Sequence, residues 1–297
     1  MTDIELSAEK EADPRRFLGA PDRLYSAYVF DLDGTIYLGD RVLPGAKRLI
    51  EELRARGRAV RFLTNNPTKD LKQYVEKLGN LGLPTPIEEI CSTNVTMTHW
   101  LQEHAPNAVL FPIGEEPLVG ALTNAGFRIS NDPTEIDVVI ASYDRGFTYE
   151  KLQIAFDAIW FYKRARLVAT NPDPFCPFPG GRGEPDCAAI TAAIEACTKV
   201  RTEVNVGKPN PVMLHAALKG LDVDLSDCVM CGDRLSTDIR MGLDAGMVTA
   251  LVLTGESTLD HLRDLPAGDL PSVVLERIDR LLPTEVWKER GWIETND

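Results

Sequence analysis

The sequence predicts an α/β protein, a doubly wound (Rossmann-like) parallel-sheet core carrying an inserted α/β domain. Three observations predict it. Short apolar runs alternate with stretches of helical period along most of the chain, the pattern of parallel strands joined by crossover helices. A second α/β rhythm occupies the middle, after which the first resumes. The 297 residues are too many for one small core and suit one large domain or two modest ones.

The elements follow in order. "AYVFD", ending at Asp31, is a short apolar strand. "PGAKRLIEELRARG" is a helix, with Leu49, Ile50 and Leu53 on one face, Pro44 near its start and Gly57 as its stop. "AVRFLT" is the next strand, and "PTKDLKQYVEKLGNLG" a helix with Leu71, Tyr74, Val75 and Leu78 at i, i+3, i+4, i+7. In the middle, "NAVLFPIG", "DVVIASYD" and "RLVATN" read as strands, while "EEPLVGALTNAGF" and "TYEKLQIAFDAIWFYKRA" read as helices. A looser Pro/Gly-rich loop, "PDPFCPFPGGRGEPD", leads to the helix "CAAITAAIEACTK". Helix "NPVMLHAALKGL", strand "DCVMCGD", helix "LSTDIRMGLDAG" and strand "TALVLTG" then complete the first pattern. Residues 1–96 and 206–297 are expected to form the core and 97–205 the insert.

Composition narrows the function. A net charge of −13 repels phosphate backbones, and the basic cluster from Arg54 to Arg61 alternates with apolar residues as a helix and strand would. Nucleic acid is therefore not an expected partner. No apolar run approaches the ~18 residues of a membrane span, and the polar start "MTDIELSAEKEADPRR" lacks the apolar centre of a signal peptide. Six cysteines without a framework pattern fit reduced thiols and a cytoplasmic setting. Cys228 and Cys231 have C-x-x-C spacing, but no second pair completes a zinc site.

Chemistry gathers at the predicted strand ends, where open α/β sheets bind ligands. Asp31 closes the first strand, and Asp33 follows at a turn that Gly34 permits. The strand "AVRFL" runs into Thr64 and Asn65, which offer a hydroxyl and an amide to an anion, or equally a helix cap before Pro67. "CVMCGD" ends in Asp233, with Asp238 further on, and "VGKPNP" places Lys208 at a helix start. Asp31, Asp33 and Asp233 together suit one hard divalent cation such as magnesium. Magnesium, a lysine and hydrogen-bond donors would neutralise a phosphoryl group in its transition state.

The order "DLDGTIY … LTNN … GKP … GDRLSTDI" resembles the four motifs of the haloacid dehalogenase superfamily of phosphatases. The insert, with "ASYDRGFTYEKL" and "VATNPDPFCP", resembles the large α/β cap of its p-nitrophenyl phosphatase and NagD-like subgroup. The resemblance implies a Mg2+-dependent phosphomonoesterase acting on small sugar, polyol or nucleotide phosphates. It implies Asp31 as nucleophile and Asp33 as general acid and base, with Thr64 on the phosphoryl group and Asn65 beside it. Lys208 would tether nucleophile and phosphate. Asp31, Asp233 and the Asp33 carbonyl would hold the metal, with Asp238 orienting a water bound to it.

Substrate selectivity is expected from the loop spanning Asn171 to Asp186, with Asn171, Asp173, Arg182 and Asp186 as polar contacts and Phe175 and Phe178 as walls. An acid at 186 would disfavour a second negative charge on the substrate, which favours small polyol or sugar phosphates. The consecutive Trp160, Phe161 and Tyr162 cannot share one helix face, so they belong either to a cap-to-cap homodimer or to the interior of the cap. Two rivals to hydrolysis stay open: a mutase using the same aspartyl phosphate, and a non-catalytic phosphate-ligand binding protein on the same fold.

Overall fold

The computed structural model describes residues 18–178 and 181–292. The polar start that was read as no signal peptide lies outside the described residues. In chain order the strands are β1 (Ala27–Asp31), β2 (Tyr37–Leu38), β3 (Arg41–Val42), β4 (Ala59–Thr64), β5 (Ile90–Ser92), β6 (Val109–Ile113) and β7 (Arg128–Ile129). There follow β8 (Val138–Ala141), β9 (Arg166–Ala169), β10 (Phe175–Pro177), β11 (Gly183–Pro185), β12 (Cys228–Gly232), β13 (Val248–Val252) and β14 (Val273–Leu275). The α-helices are α1 (Ala46–Ala55), α2 (Leu71–Asn80), α3 (Thr93–His104), α4 (Glu116–Asn124) and α5 (Tyr149–Phe156). After them come α6 (Cys187–Thr198), α7 (Pro211–Leu218), α8 (Arg240–Asp244) and α9 (Thr284–Arg290).

One sheet has the order β14-β13-β12-β1-β4-β5 and a second the order β7-β6-β8-β9. β1 pairs in parallel with β12, Ala27 opposite Cys228 and Phe30 opposite Cys231, and β13 and β14 continue in parallel. In the second sheet β6, β7, β8 and β9 are likewise parallel. The sheet order is that of the expected α/β fold, with strands returning through crossovers rather than hairpins.

The described residues divide into two compact units. The first runs up to Phe62, then takes Leu81–Leu83 and everything from Gly220; the second is Leu63–Asn80 with Pro84–Lys219. Their bounds differ from the expected 97–205 insert, because the end of β4, α2 and α7 pack with the second unit.

In the first unit β1 is buried along its whole length. Its aromatics, Tyr28 stacked on Phe30 and Phe30 tilted against Phe62, form a ladder with centroids 6.2 and 6.1 Å apart. Helix α1 buries Leu49, Ile50 and Leu53, the face its spacing predicted. It ends in a Schellman turn: Arg58 N–H reaches Leu53 O and Gly57 N–H reaches Arg54 O, with Gly57 left-handed at φ 68°.

In the second unit one apolar layer gathers Phe111, Val139, Leu167, Ile190 and Ile194, and another gathers Trp100, Leu110, Leu122 and Val168. The two layers cover opposite faces of the four-stranded sheet, as alternate residues of β6, β8 and β9 demand.

Three local readings are corrected. The stretch read as a loose loop contains an antiparallel hairpin, β10 against β11, with Phe175 opposite Pro185. The stretch "LSTDIRMGLDAG" is not one α-helix: a π turn, Leu235–Ile239, precedes α8. The wider turn lets Asp238 lie against Gly232, where an added Cβ would meet its carboxyl carbon at 2.3 Å. Finally, α5 continues as a π turn over Asp157–Phe161. It buries Ala158 and Ile159 and leaves Trp160, Phe161 and Tyr162 exposed, so burial inside the cap does not account for the three aromatics. Among the described residues no helix is long and apolar enough to cross a membrane.

Candidate active site

In the first unit, parallel pairing of β1 and β12 brings their carboxyl ends side by side. Asp31 ends β1 and Asp233 follows β12 directly, so both acids emerge at the same edge. The π turn returns Asp238 to that edge. Carboxylate oxygens of Asp31, Asp233 and Asp238 lie within 4.8 Å of one another, and all three residues are buried.

Backbone amides orient the group. Glu256 N–H donates to Asp233 Oδ2 at 2.7 Å, and Arg234 N–H to Asp238 Oδ2 at 3.1 Å. Glycines let the backbone come close: a Cβ at Gly34 would lie 2.7 Å from Asp233 Oδ2, and one at Gly255 only 1.9 Å from the same atom. Gly34 also has φ 88°, which the turn after Asp33 requires, and Thr254 Oγ1 donates to its carbonyl at 2.7 Å.

Three buried carboxylates at this spacing offer only hard oxygen donors. That donor set fits magnesium in charge and chemistry. The Cys231 thiol, buried on β12, is held well above its ordinary value by burial and by the negative charge of Asp238, Asp31 and Asp233. Cys228 is pushed up to about 11, chiefly by burial. Both thiols are free, and their C-x-x-C spacing lies along a buried strand.

Asp33 differs from Asp31. It is exposed where Asp31 is buried, and its Oδ2 accepts a hydrogen bond from the Tyr37 hydroxyl at 3.2 Å. Its carboxyl is thus open to solvent yet fixed at one oxygen.

The remaining candidates belong to the second unit. Thr64 is buried at the end of β4; its hydroxyl accepts from Asn66 N–H at 3.2 Å and lies 3.5 Å from Tyr74 Oη. Asn65 clamps the backbone of Lys208: its Oδ1 accepts from Lys208 N–H at 2.8 Å and its Nδ2 donates to Lys208 O at 3.2 Å. Lys208 itself is buried. The stretch before it runs beside β9, with Val206 N–H donating to Ala169 O at 3.0 Å. Gly207 permits the approach, since a Cβ there would meet Thr170 O at 2.6 Å and Asn65 Oδ1 at 2.7 Å.

Of the four selectivity candidates, three join this network. Asp173 Oδ2 accepts from Asn65 Nδ2 at 2.9 Å and Asn171 Nδ2 at 3.0 Å. Asn171 also donates to Asp186 Oδ1 at 3.1 Å, and Asp186 caps α6 by accepting from Cys187 N–H. Asn171, Asp173 and Asp186 are all buried, whereas Arg182 and Phe175, on the β10–β11 hairpin, are exposed. The acid at 186 is thus a helix cap.

Sequence reasoning missed four contributors. Glu256 and Gly255 back Asp233, and their signal was a Gly just past the apolar strand "TALVLTG". Tyr37 stands four residues after Asp33, on the far side of the Gly34 turn. Tyr143 is buried and donates to Glu184 of β11 at 2.6 Å, and burial followed by this bond pushes its phenol above the ordinary value.

Residues 28–128 match the haloacid dehalogenase-like hydrolase family, and residues 205–281 match a second HAD-hydrolase-like family. An acid sugar phosphatase of Staphylococcus aureus is 37% identical over 240 residues, covering 81% of this chain and 91% of the relative. The crystal structure of a 4-nitrophenylphosphatase from Thermotoga maritima superposes with a TM-score of 0.80 at 32% identity, over 86% of this chain and 96% of the other. NagD from E. coli K-12 does so with a TM-score of 0.77 at 28% identity, over 86% and 98%. On these likenesses the chain belongs to the haloacid dehalogenase-like hydrolases, as a phosphatase of the p-nitrophenyl phosphatase and NagD-like subgroup.

Proposed function

We propose that the chain is a magnesium-dependent phosphomonoesterase that hydrolyses small sugar or polyol phosphates through an aspartyl-phosphate intermediate, with p-nitrophenyl phosphate as an artificial substrate. The observation that carries this reading is the buried trio of Asp31, Asp233 and Asp238 within 4.8 Å. Asp31, Asp233 and the Asp33 carbonyl would hold the metal, with Asp238 in support. Bound there, magnesium supplies positive charge against the phosphoryl oxygens.

The side chains perform the rest. The Asp31 carboxylate attacks phosphorus, and the ester P–O bond breaks as Asp33 gives its proton to the leaving oxygen. Asp33 then takes a proton from water, whose oxygen attacks phosphorus; the bond to Asp31 breaks and inorganic phosphate leaves. Thr64, with Asn65 beside it, holds the phosphoryl group, and Lys208 opposes its charge.

Residues 97–205 are assigned as the cap that reads the leaving group, with the exposed Arg182 as its selectivity contact. The acid sugar phosphatase relative supports the sugar phosphate class. Six free cysteines fit a reducing cytoplasm.

A phosphate-release screen of the purified protein tests the reading, using a broad panel of phosphate esters with and without magnesium. Release from sugar or polyol phosphates that stops in chelator is expected. Full turnover in excess chelator would overturn the metal role, and an isomerised phosphate ester without phosphate release would mark a mutase.

A further inference from the structure

We infer that Asp173 is a positioning residue for Lys208, acting through the side-chain amide of Asn65, and not a reader of the leaving group. The inference rests on Lys208 being the phosphate-binding lysine proposed above.

A carboxylate can only accept hydrogen bonds. Asp173 Oδ2 therefore demands a donor from Asn65, and it receives Nδ2 at 2.9 Å. That choice turns Asn65 Oδ1 toward Lys208, where it accepts the backbone N–H at 2.8 Å. Nδ2 also reaches Lys208 O at 3.2 Å, so the clamp closes on both sides of one residue. Were the amide flipped, its oxygen would face the Asp173 carboxylate and its NH2 would face the Lys208 N–H. Both contacts would then be repulsive. Asp173, together with the Lys208 carbonyl, thus holds the amide in this polarity, and the amide holds the backbone from which the lysine side chain starts.

Asp173 is itself held firmly. The same Oδ2 accepts from Asn171 Nδ2 at 3.0 Å, and the Asp173 carbonyl accepts from Ala188 N–H in the first turn of α6 at 3.1 Å. Asn171 is locked in turn, its Oδ1 accepting from Thr170 Oγ1 at 2.8 Å. Only 7% of Asp173 is exposed. A side chain so buried and so committed is suited to fixing geometry. The close approach at Gly207, where a Cβ would overlap Asn65 Oδ1 at 2.7 Å, keeps the clamp short.

Inorganic phosphate separates the two roles, because it has no leaving group to read. Its binding to the magnesium-loaded protein is measured by calorimetry for wild type, Asp173→Leu, Asp173→Asn and Lys208→Ala. Asp173→Leu removes the acceptor and is expected to weaken phosphate by about 10-fold, the scale of one charge-assisted hydrogen bond. Asp173→Asn keeps an acceptor oxygen for Asn65 and is expected to restore binding to within a few-fold. kcat/KM should fall by one common factor on p-nitrophenyl phosphate and on sugar phosphates. Unchanged phosphate binding in Asp173→Leu, with a reordered ranking of esters, would overturn the inference and leave Asp173 a selectivity residue. Unchanged phosphate binding in Lys208→Ala would instead remove the lysine assignment and this inference with it. If Asp173→Leu does not fold, Asp173→Ala removes the same acceptor with less bulk and must weaken phosphate by the same factor.

Discussion

The Tyr37 hydroxyl donates to Asp33 Oδ2 at 3.2 Å, from a side chain that is fully buried to one that is exposed. The backbone holds the two in register: Gly34 N–H donates to Tyr37 O at 2.8 Å. With Asp33 as the proton carrier, one of its oxygens is anchored and the other is left for the leaving group. Tyr37→Phe removes the anchor but keeps the acid. Turnover of alkyl phosphates, whose leaving oxygen must be protonated, should fall by roughly 10-fold. Turnover of p-nitrophenyl phosphate, which leaves as a stable anion, should change by less than about 3-fold in its first chemical step. Equal losses on both, measured by single-turnover kinetics, would reduce Tyr37 to a packing residue.

Gly255 makes the tightest contact on the acids of the candidate metal site. Its missing Cβ would stand 1.9 Å from Asp233 Oδ2, the oxygen that accepts from Glu256 N–H. In Gly255→Ala either that carboxylate or the Thr254–Ser257 backbone must move. The expected result is a magnesium requirement raised about 10-fold or more, read by titrating the metal against both heat of binding and activity. Gly79→Ala is the contrast: nothing lies within 4 Å of its Cβ position in α2. It should leave the magnesium requirement alone and stabilise the fold by up to ~1 kcal/mol. A Gly255→Ala protein with wild-type magnesium affinity would show that the loop absorbs the methyl group.

These two contacts also mark how far the sequence could be read. The first sheet and the helix α1 were legible because apolar period and end signals agree, as at Leu49, Ile50, Leu53 and Gly57. Asp31 and Asp233 were legible because each stands at a strand end; Asp33, the third carboxylate expected with them, is exposed, and its place in the buried trio is taken by Asp238, which the π turn brings back from six residues past β12. The Asn65 clamp was not. An amide two residues before a proline reads as a cap, and its partners Asp173 and Lys208 are 108 and 143 residues away. The β10–β11 hairpin was hidden by its prolines and glycines, which normally mark a loop. Asp186 was placed correctly before a helix, but only its hydrogen bond to Cys187 N–H shows that it serves the helix.

Glu52 provides a test of acid stability remote from catalysis. It is buried on α1, and Arg56 Nε donates to its Oε1 at 2.6 Å while Arg290 Nε, from α9, does so at 3.1 Å. Burial alone would raise its carboxyl, but the hydrogen bonds and charges of Arg290 and Arg56 outweigh that and hold it below the ordinary 4.5. A depressed folded value means that the stabilisation is complete above about 4.5 and is lost as pH falls through the folded value. Urea midpoints measured downward from pH 6 should drop more steeply for wild type than for Glu52→Gln. At pH 7 the substitution should cost roughly 1–3 kcal/mol, because two guanidinium groups then face a neutral amide. Parallel pH curves would show that the ion pairs contribute nothing net.

The proposed chemistry makes its sharpest prediction at phosphorus. Asp31 is buried at the end of β1 with Asp233 and Asp238 beside it, while Asp33 lies exposed two residues on. If Asp31 is the nucleophile, Asp31→Asn should lower turnover on the order of 10³-fold or more on every ester, p-nitrophenyl phosphate included. Asp33→Asn should be milder on p-nitrophenyl phosphate in the first step than on alkyl phosphates. Rates alone leave one rival, in which Asp31 only helps to hold the metal and water attacks phosphorus directly. Stereochemistry separates them. Each in-line displacement inverts phosphorus, so attack by Asp31 followed by attack of water gives net retention, while a single attack by water inverts. A phosphorothioate ester made chiral with oxygen isotopes should therefore return chiral thiophosphate of retained configuration when it is hydrolysed in isotopically labelled water. Inverted thiophosphate would strip Asp31 of the nucleophile's role and leave it as a metal ligand.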